Sequence, residues 1–387
     1  MTAYFDHHAT TPCADEVVAA MAPHWQEQFG NAASRGHRLG IAARRATETA
    51  RGQVAAFLGA SPKEIVFTSG ATESNNLAIL GVARAALREG RSPHVVTVAT
   101  EHKAVLDPVA ALEKEGVATT VLPVDRRGLV APEDLVAALR PSTVLVSVMA
   151  VNNEIGVLQD LDAIGAICRD HGVAFHSDGA QSGWNPIDVR TTPVDLVSLS
   201  AHKLYGPKGI GALYVRRRRP AVQLEPLQYG GGHERGLRSG TLPVPLIVGM
   251  GTACELVSAE RATQVPRLTA LRDGLWSRLE ALGGVTRNGD PDRHAPHNLN
   301  ISIDGVEAQA LLLAVRDVVA LSTGSACSSA TLERSHVLVA LGLPDQAVSS
   351  SMRMGLGRHT TDAEVQAVGD ALVAKIGELR GLADLYE

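Results

Sequence analysis

The sequence predicts an α/β fold: a large domain built on a mainly parallel seven-stranded sheet, with a smaller α+β domain beside it. Three observations carry this. Seven short apolar runs recur between residues 64 and 215, most of the intervals between them have helical periodicity, and the texture changes after about residue 255. Strands alternating with helices build parallel layers. Runs that are apolar at nearly every position suit strands covered on both faces. At 387 residues the chain is long enough to split into two domains.

The seven runs are EIVFT (64–68), HVVTVAT (94–100), ATTVLPV (118–124), TVLVSVM (143–149), VAFHSD (173–178), DLVSLS (195–200) and GALYVR (211–216). Periodicity places helices at 75–87, 103–115, 132–139 and 161–171. Beyond residue 255, Leu268, Leu271, Leu275, Leu279 and Leu282 share one face of a long helix. A strand at 299–303, a helix at 307–315 and a strand at 318–321 follow, then a small-residue loop, a strand-like segment around Arg353 and a last helix from about Asp362. The expected division is 15–255 for the large domain, and 1–14 with 256–387 for the small one.

Bulk properties narrow the class. A net charge of −5 gives no reason to expect nucleic acid or an anionic membrane as a partner. The one basic cluster, Arg216–Arg219, precedes Pro220 and reads as a solvated turn. No apolar run reaches membrane-spanning length. The opening MTAYFDHHATTP lacks the charged and apolar regions of a secretory signal. The four cysteines, Cys13, Cys168, Cys254 and Cys327, form no CxxC pair. That spacing disfavours a zinc cluster or a disulfide framework and predicts a reducing, cytoplasmic setting. Cys168 and Cys254 sit in helical apolar patterns and read as packing residues. Asp6-His7-His8 superficially resembles the DHH phosphoesterase signature, but the further aspartate and histidine ligand clusters are missing, so no metal site is expected.

Ligands of parallel sheets bind beyond the carboxyl ends of the strands, so the residues there matter most. Run 195–200 leads into SAHKLYGPKG, with Lys203 beside His202. A lysine held where water is scarce loses its charge readily and can form a Schiff base with an aldehyde. A solvated turn lysine is the plain alternative. After run 64–68, Ser69-Gly70-Ala71-Thr72-Glu73 opens a helix whose unpaired N–H groups suit a phosphate monoester. Ordinary capping by Ser69 or Thr72 would use the same residues. Asp178 ends run 173–178, where a carboxylate can keep a pyridinium nitrogen protonated or simply hold a turn. Gln181 can hydrogen-bond a phenolate oxygen. His102 starts a helix, where an imidazole stacks on a flat ring, passes protons or caps the helix. Cys327 lies in STGSACSSA among serines and a glycine, a setting that suits a nucleophilic thiol more than a core one. Arg353 suits bidentate capture of a carboxylate, or an internal ion pair.

Together FTSGATESNN, TEHKAV, VNNEIG, SAHKLYGPKG, GGGHERGLRSGT and STGSACSS resemble the motifs of the cysteine desulfurases. These are pyridoxal 5'-phosphate enzymes of the class-V aminotransferase family, with the aspartate-aminotransferase fold (PLP fold type I). The resemblance runs from DHHATTP to LGRHTT and the last helix. STGSACSS is similar to the branch that serves iron–sulfur cluster assembly and tRNA thiolation. The resemblance implies that Lys203 carries the cofactor, Asp178 pairs with its ring nitrogen, Gln181 with its phenolic oxygen, and His102 stacks on the ring and moves protons. It assigns Thr72, Ser200 and His202 to the phosphate and adds Ala71 and Asn153 to the cofactor-binding set. Thr241 would reach the phosphate in a neighbouring subunit, which implies an obligate homodimer. Asn153 and Arg353 would hold the substrate carboxylate, and Cys327 would become a persulfide.

The implied reaction turns L-cysteine into L-alanine and passes sulfur to a protein acceptor such as an iron–sulfur scaffold. Lys203 and Asp178 would equally serve an aminotransferase or a selenocysteine lyase, so Cys327 and its loop are the discriminating feature. Three departures from the family pattern stand out. Asp178-Gly-Ala-Gln181 replaces the frequent Asp-Ala-Thr-Gln and loses a hydroxyl beside the cofactor. Met354-Gly355 replaces a more usual Phe-Ser. The chain ends at Glu387, short of the extension that helps some members dock a scaffold, which leaves the acceptor open.

Overall fold

The computed structural model of the protein describes residues 2–218, 221–323 and 334–383. The chain opens with β1 (Ala3–Tyr4), α1 (Asp15–Met21), α2 (Pro23–Gln26) and α3 (Arg38–Leu58). There follow β2 (Ile65–Thr68), α4 (Ala71–Arg88), β3 (His94–Val98), α5 (Lys103–Lys114), β4 (Ala118–Leu122) and α6 (Pro132–Ala138). Next come β5 (Thr143–Ser147), α7 (Leu161–Asp170), β6 (Ala174–Asp178), β7 (Leu196–Ser200) and β8 (Gly211–Val215). The rest is α8 (Val244–Glu280), β9 (Val285–Arg287), β10 (Asn298–Ile303), α9 (Ala308–Val315), β11 (Val319–Ala320), α10 (His336–Ala340), α11 (Asp345–Ser349), β12 (Ser351–Gly355) and α12 (Asp362–Ala383).

The seven apolar runs form one sheet in the order β2-β8-β7-β6-β5-β3-β4. Strand β8 is antiparallel to both neighbours, and every other pairing is parallel. Side chains alternate across the sheet. Val95, Leu145, Leu196 and Leu213 pack with Leu77 of α4 and Val105, Val109 and Leu112 of α5. Their neighbours Val96, Val146, Val197 and Tyr214 face Val54 and Leu58 of α3, Ile164 of α7 and Ile247 and Met250 of α8. Both faces are covered, which is why these runs lack a polar alternation.

Helix α8 runs 37 residues without a break, through the expected domain boundary at 255/256 and past an internal Pro266. A helix tolerates one missing N–H when both flanks are anchored by burial. Here Met250, Cys254 and Val257 are buried ahead of the proline, and Leu268, Leu271, Leu275 and Leu279 after it. Helix α4 begins at Ala71, four residues before the apolar periodicity starts, because its first turn is Ala-Thr-Glu-Ser. The 21-residue α3 buries mostly small side chains, Ala43, Ala50 and Ala55 among them, so it shows little apolar stripe.

Beyond α8, the antiparallel sheet β12-β10-β9 packs against α8 and α11, α12 packs on α8 and α9, and β1 pairs in parallel with β11. Cys168 and Cys254 are buried in the core, and burial pushes both thiols up to about 12. Of the basic cluster, Arg216 pairs with Asp195, Arg217 and Arg218 are exposed, and Arg219 lies outside the described residues. Among the described residues no helix is long and apolar enough to cross a membrane.

Candidate active site

The carboxyl ends of β2, β3, β5, β6 and β7 converge on a cavity of about 390 Å³. It is lined by Ala71, Thr72, His102, Asn153, Asp178, Gln181, Ser200, His202 and Lys203, nine of the residues singled out in the sequence. A larger cavity, about 580 Å³, opens elsewhere near Thr143 and Arg190 and contains none of them.

Asp178 closes β6 and is buried. Its Oδ2 accepts a hydrogen bond from Asn75 Nδ2 at 2.7 Å, and its Oδ1 accepts the Ala180 N–H at 2.8 Å. Two donors fix the plane of the carboxylate. Asn75 was not singled out in the sequence. Its signal was its place in α4, one turn into the helix on the face that meets the sheet.

His102 is the N-cap of α5, and its Nδ1 accepts the Ala104 N–H at 3.0 Å. That bond leaves the ring proton on Nε2. Burial, and then the charge of Lys203, lower its pKa, with Asp178 opposing. The ring is therefore neutral at neutral pH. The preceding Glu101 is fully buried, with Oε1 accepting the Met149 N–H at 2.6 Å. Burial holds its carboxyl well above the usual range, opposed by that N–H and reinforced by the charge of Asp178.

Lys203 ends a short 3-10 turn (Ala201–Lys203) directly after β7. His202 Nδ1 lies 3.1 Å from Thr10 Oγ1, and burial, then Lys203 and Lys208, lower its pKa to about 4. The start of α4 faces the same space. Its N-cap, Gly70, contributes no side-chain bond. The capping expected of Ser69 or Thr72 is not what is seen. Instead Glu73 Oε2 accepts the Ser69 N–H at 2.7 Å while Oε1 accepts from Arg238 Nε at 2.9 Å. A Cβ built on Gly70 would find only Ser200 Oγ, at 3.9 Å. The helix start is thus a polar cradle with room above it.

Two predicted residues lie elsewhere, and a third falls outside the described residues. Arg353, buried in β12, donates from Nη1 to the Asn153 carbonyl at 3.1 Å and from Nη2 to Asp6 Oδ1 at 2.7 Å. It stands behind the cavity wall, and the internal ion pair left open in the sequence is present. Thr241 is exposed and outside the cavity lining. Cys327 lies outside the described residues. The chain approaches it through Ser322, whose carbonyl accepts the Arg353 N–H at 2.7 Å. Asp6-His7-His8 has other work: besides the Asp6–Arg353 pair, His7 Nδ1 bonds the Gly355 carbonyl at 3.0 Å and His8 Nδ1 meets Gln181 Oε1 at 3.2 Å.

A half-buried lysine, a fixed carboxylate, a neutral imidazole, a glutamine and a roomy helix start fit pyridoxal phosphate. The cradle suits a phosphate dianion, and Asp178 suits a pyridinium nitrogen. The fold and this site define a pyridoxal-phosphate-dependent enzyme of fold type I.

A model of the aminotransferase class-V family matches residues 3–368. The cysteine desulfurase IscS of Neisseria gonorrhoeae is 51% identical over 385 residues, covering 99% of this chain and 94% of that one. A solved NifS-like protein superposes with a TM-score of 0.90 at 35% identity, covering 99% of this chain and all of that one. The structure of SspA in complex with cysteine gives a TM-score of 0.81 at 38% identity, over 93% of this chain and all of that one. The chain belongs to the class-V aminotransferase family and, within it, to the cysteine desulfurases.

Proposed function

We propose that this cavity converts L-cysteine to L-alanine and that the sulfur leaves as a persulfide on Cys327. The observation that carries the reading is the meeting of Lys203, Asp178 and the cradle of α4 at one sheet edge. The likeness to IscS and to a cysteine-bound structure supports the substrate. Bound pyridoxal phosphate supplies an electron sink for the bond changes at the amino acid.

The chain's own residues do the rest. Lys203 would hold the cofactor in the resting protein, and its Nζ, once displaced by the substrate amine, would take the substrate Cα proton and return it. Asp178, fixed by Asn75 and Ala180, would keep a proton on the ring nitrogen. Ala71, Thr72, Ser200 and His202 receive the phosphate, and Gln181 the phenolic oxygen. Neutral His102 would lie against the ring and move a proton to or from the substrate thiol through Nε2. Asn153 would receive the substrate carboxylate at the cavity wall and Arg353 would support it from behind, its Nε having no partner among the described residues. The Cys327 thiolate attacks the substrate Sγ, the Cβ–Sγ bond breaks, and Cβ keeps the electron pair and gains a proton. Cysteine plus thiol gives alanine plus persulfide, with no outside oxidant or reductant.

The division into residues 15–255, and 1–14 with 256–387, belongs to the same proposal, as do a homodimer, a cytoplasmic setting and an acceptor protein such as an iron–sulfur scaffold. Exposed Thr241, away from its own cavity, supports a composite site. Exposed Trp25, Phe29 and Ile41 supply apolar surface for a second subunit. Borohydride reduction and peptide mapping should place a pyridoxyl adduct on Lys203. Cys327→Ser should keep the visible absorbance of the cofactor and lose sulfide release from L-cysteine. Sulfide release at the original rate from that variant would exclude the persulfide role.

A further inference from the structure

The imidazole of His8 is nearly inaccessible, at 1% exposure, and it lies directly behind Gln181 on the wall of the cavity. Four contacts define the polarity of this pair. Gln181 Nε2 donates to the His8 main-chain carbonyl at 2.9 Å, which turns Gln181 Oε1 toward His8 Nδ1 at 3.2 Å. A carboxamide oxygen only accepts, so Nδ1 carries the proton. On the far side, Asn298 Nδ2 approaches His8 Nε2 at 3.1 Å and donates to the Glu154 carbonyl at 3.1 Å. An Nε2 that faces an amide N–H is an acceptor. Both ring nitrogens therefore demand the same neutral Nδ1–H tautomer, and a flipped Gln181 would set oxygen against the His8 carbonyl.

We propose that His8 is a positioning residue: its main chain and Nδ1–H lock the Gln181 carboxamide so that Nε2–H faces the phenolic oxygen of the cofactor. This deepens the proposed function and rests on its assignment of Gln181 to that oxygen. Among the described residues, no hydrogen bond takes the second Nε2–H of Gln181. Contact with His297, with ring centroids 4.4 Å apart and planes tilted by 34°, limits rotation of the imidazole. Burial, then the charges of His297 and Arg353, keep His8 well below its ordinary pKa, so it stays in the one form that fits. The room for the ring comes from Gly355, where a Cβ would meet His8 Cδ2 at 2.6 Å and the His8 N at 3.0 Å. Gly355 is one of the positions at which the sequence departs from the family pattern. His8 and that glycine are two halves of one packing arrangement.

A donor on the phenolic oxygen stabilises its anionic form and makes the neighbouring nitrogen less basic. The readout is the midpoint of the pH-dependent change in visible absorbance of the holoenzyme, alongside affinity of the stripped protein for pyridoxal phosphate. Gln181→Leu should raise the midpoint by about one pH unit. His8→Leu should raise it nearly as far, the double variant no further, and His8→Asn, which restores an N–H at the Nδ1 position, should return it close to the original. Gly355→Ser should shift it in the same direction by displacing the ring. An unmoved midpoint in His8→Leu beside a shifted one in Gln181→Leu overturns the proposal. An unmoved midpoint in Gln181→Leu overturns the assignment of Gln181 itself. If the leucine variants fail to fold, histidine-selective 15N NMR on the unsubstituted holoenzyme decides: a neutral Nδ1–H signal absent from His8→Asn supports the lock, and an Nε2–H or doubly protonated His8 ends it.

Discussion

The carboxylate at the end of β6 shows what single side chains contribute. Asp178 is held by Asn75 Nδ2 and the Ala180 N–H, so its charge is aimed rather than merely present. Removing the charge in Asp178→Asn should lower kcat by about 10²–10³-fold, the usual scale for one aligned electrostatic group. Asn75→Ala loses one charge-assisted bond and should cost about tenfold. Steady-state alanine production with the cofactor saturating checks both, and equal rates for Asn75→Ala and the original protein would show that the carboxylate needs no holder. Asp178, Lys203, Gln181 and His102 were legible because each stands at or just beyond the carboxyl end of a strand run. Asn75 and His8 were not. One is hidden among polar helix residues, and the other sits in a tripeptide more readily taken for a metal motif. Their roles depend on partners 103 and 173 residues away, which no local pattern reports.

At the scale of elements, the cradle depends on how tightly α4 sits against the sheet. A Cβ on Gly211, in β8, would meet the Leu199 carbonyl oxygen at 2.5 Å and Gly70 Cα at 2.6 Å. The backbone of the cradle therefore rests on a strand with no side chain between them. Gly211→Ala should push Gly70 outward, destabilise the fold by about 1–3 kcal/mol and weaken cofactor binding at least tenfold. Titration of the stripped protein with pyridoxal phosphate measures it, and unchanged affinity would mean the cradle is set elsewhere. Strands and their order were readable because burial on both faces makes them uniformly apolar. Helix α3 and the joining of α8 across residue 255 were less readable. An alanine-rich helix packs by close approach rather than by a stripe, and continuity through Pro266 depends on tertiary anchoring.

Over the whole molecule, buried histidines set the acid limit. Burial lowers His176 to about 4, and His294 and His297 to about 3. Each is near 6.5 in the unfolded chain. Between those values the unfolded state binds protons that the folded state refuses, so stability falls as pH drops below about 6.5. The slope approaches about 1.4 kcal/mol per pH unit for each such group. Glu101, whose pKa is raised in the fold, opposes this with a single proton, since its contribution is lost as pH rises. The urea midpoint should therefore decline steadily from pH 6.5 to 5, and His297→Asn should flatten the decline. A midpoint constant over that interval would contradict the argument.

The pairing of β1 with β11 has a practical side. Ala3 and Tyr4 lie in register with Val319 and Ala320, two residues upstream of Ser322 and seven before Cys327. Whoever attaches a purification handle or a fluorescent fusion ahead of Ala3 is also loading the strand that leads to Ser322. A clumsy handle there would disturb that pairing and, through Ser322, the strand that carries Arg353.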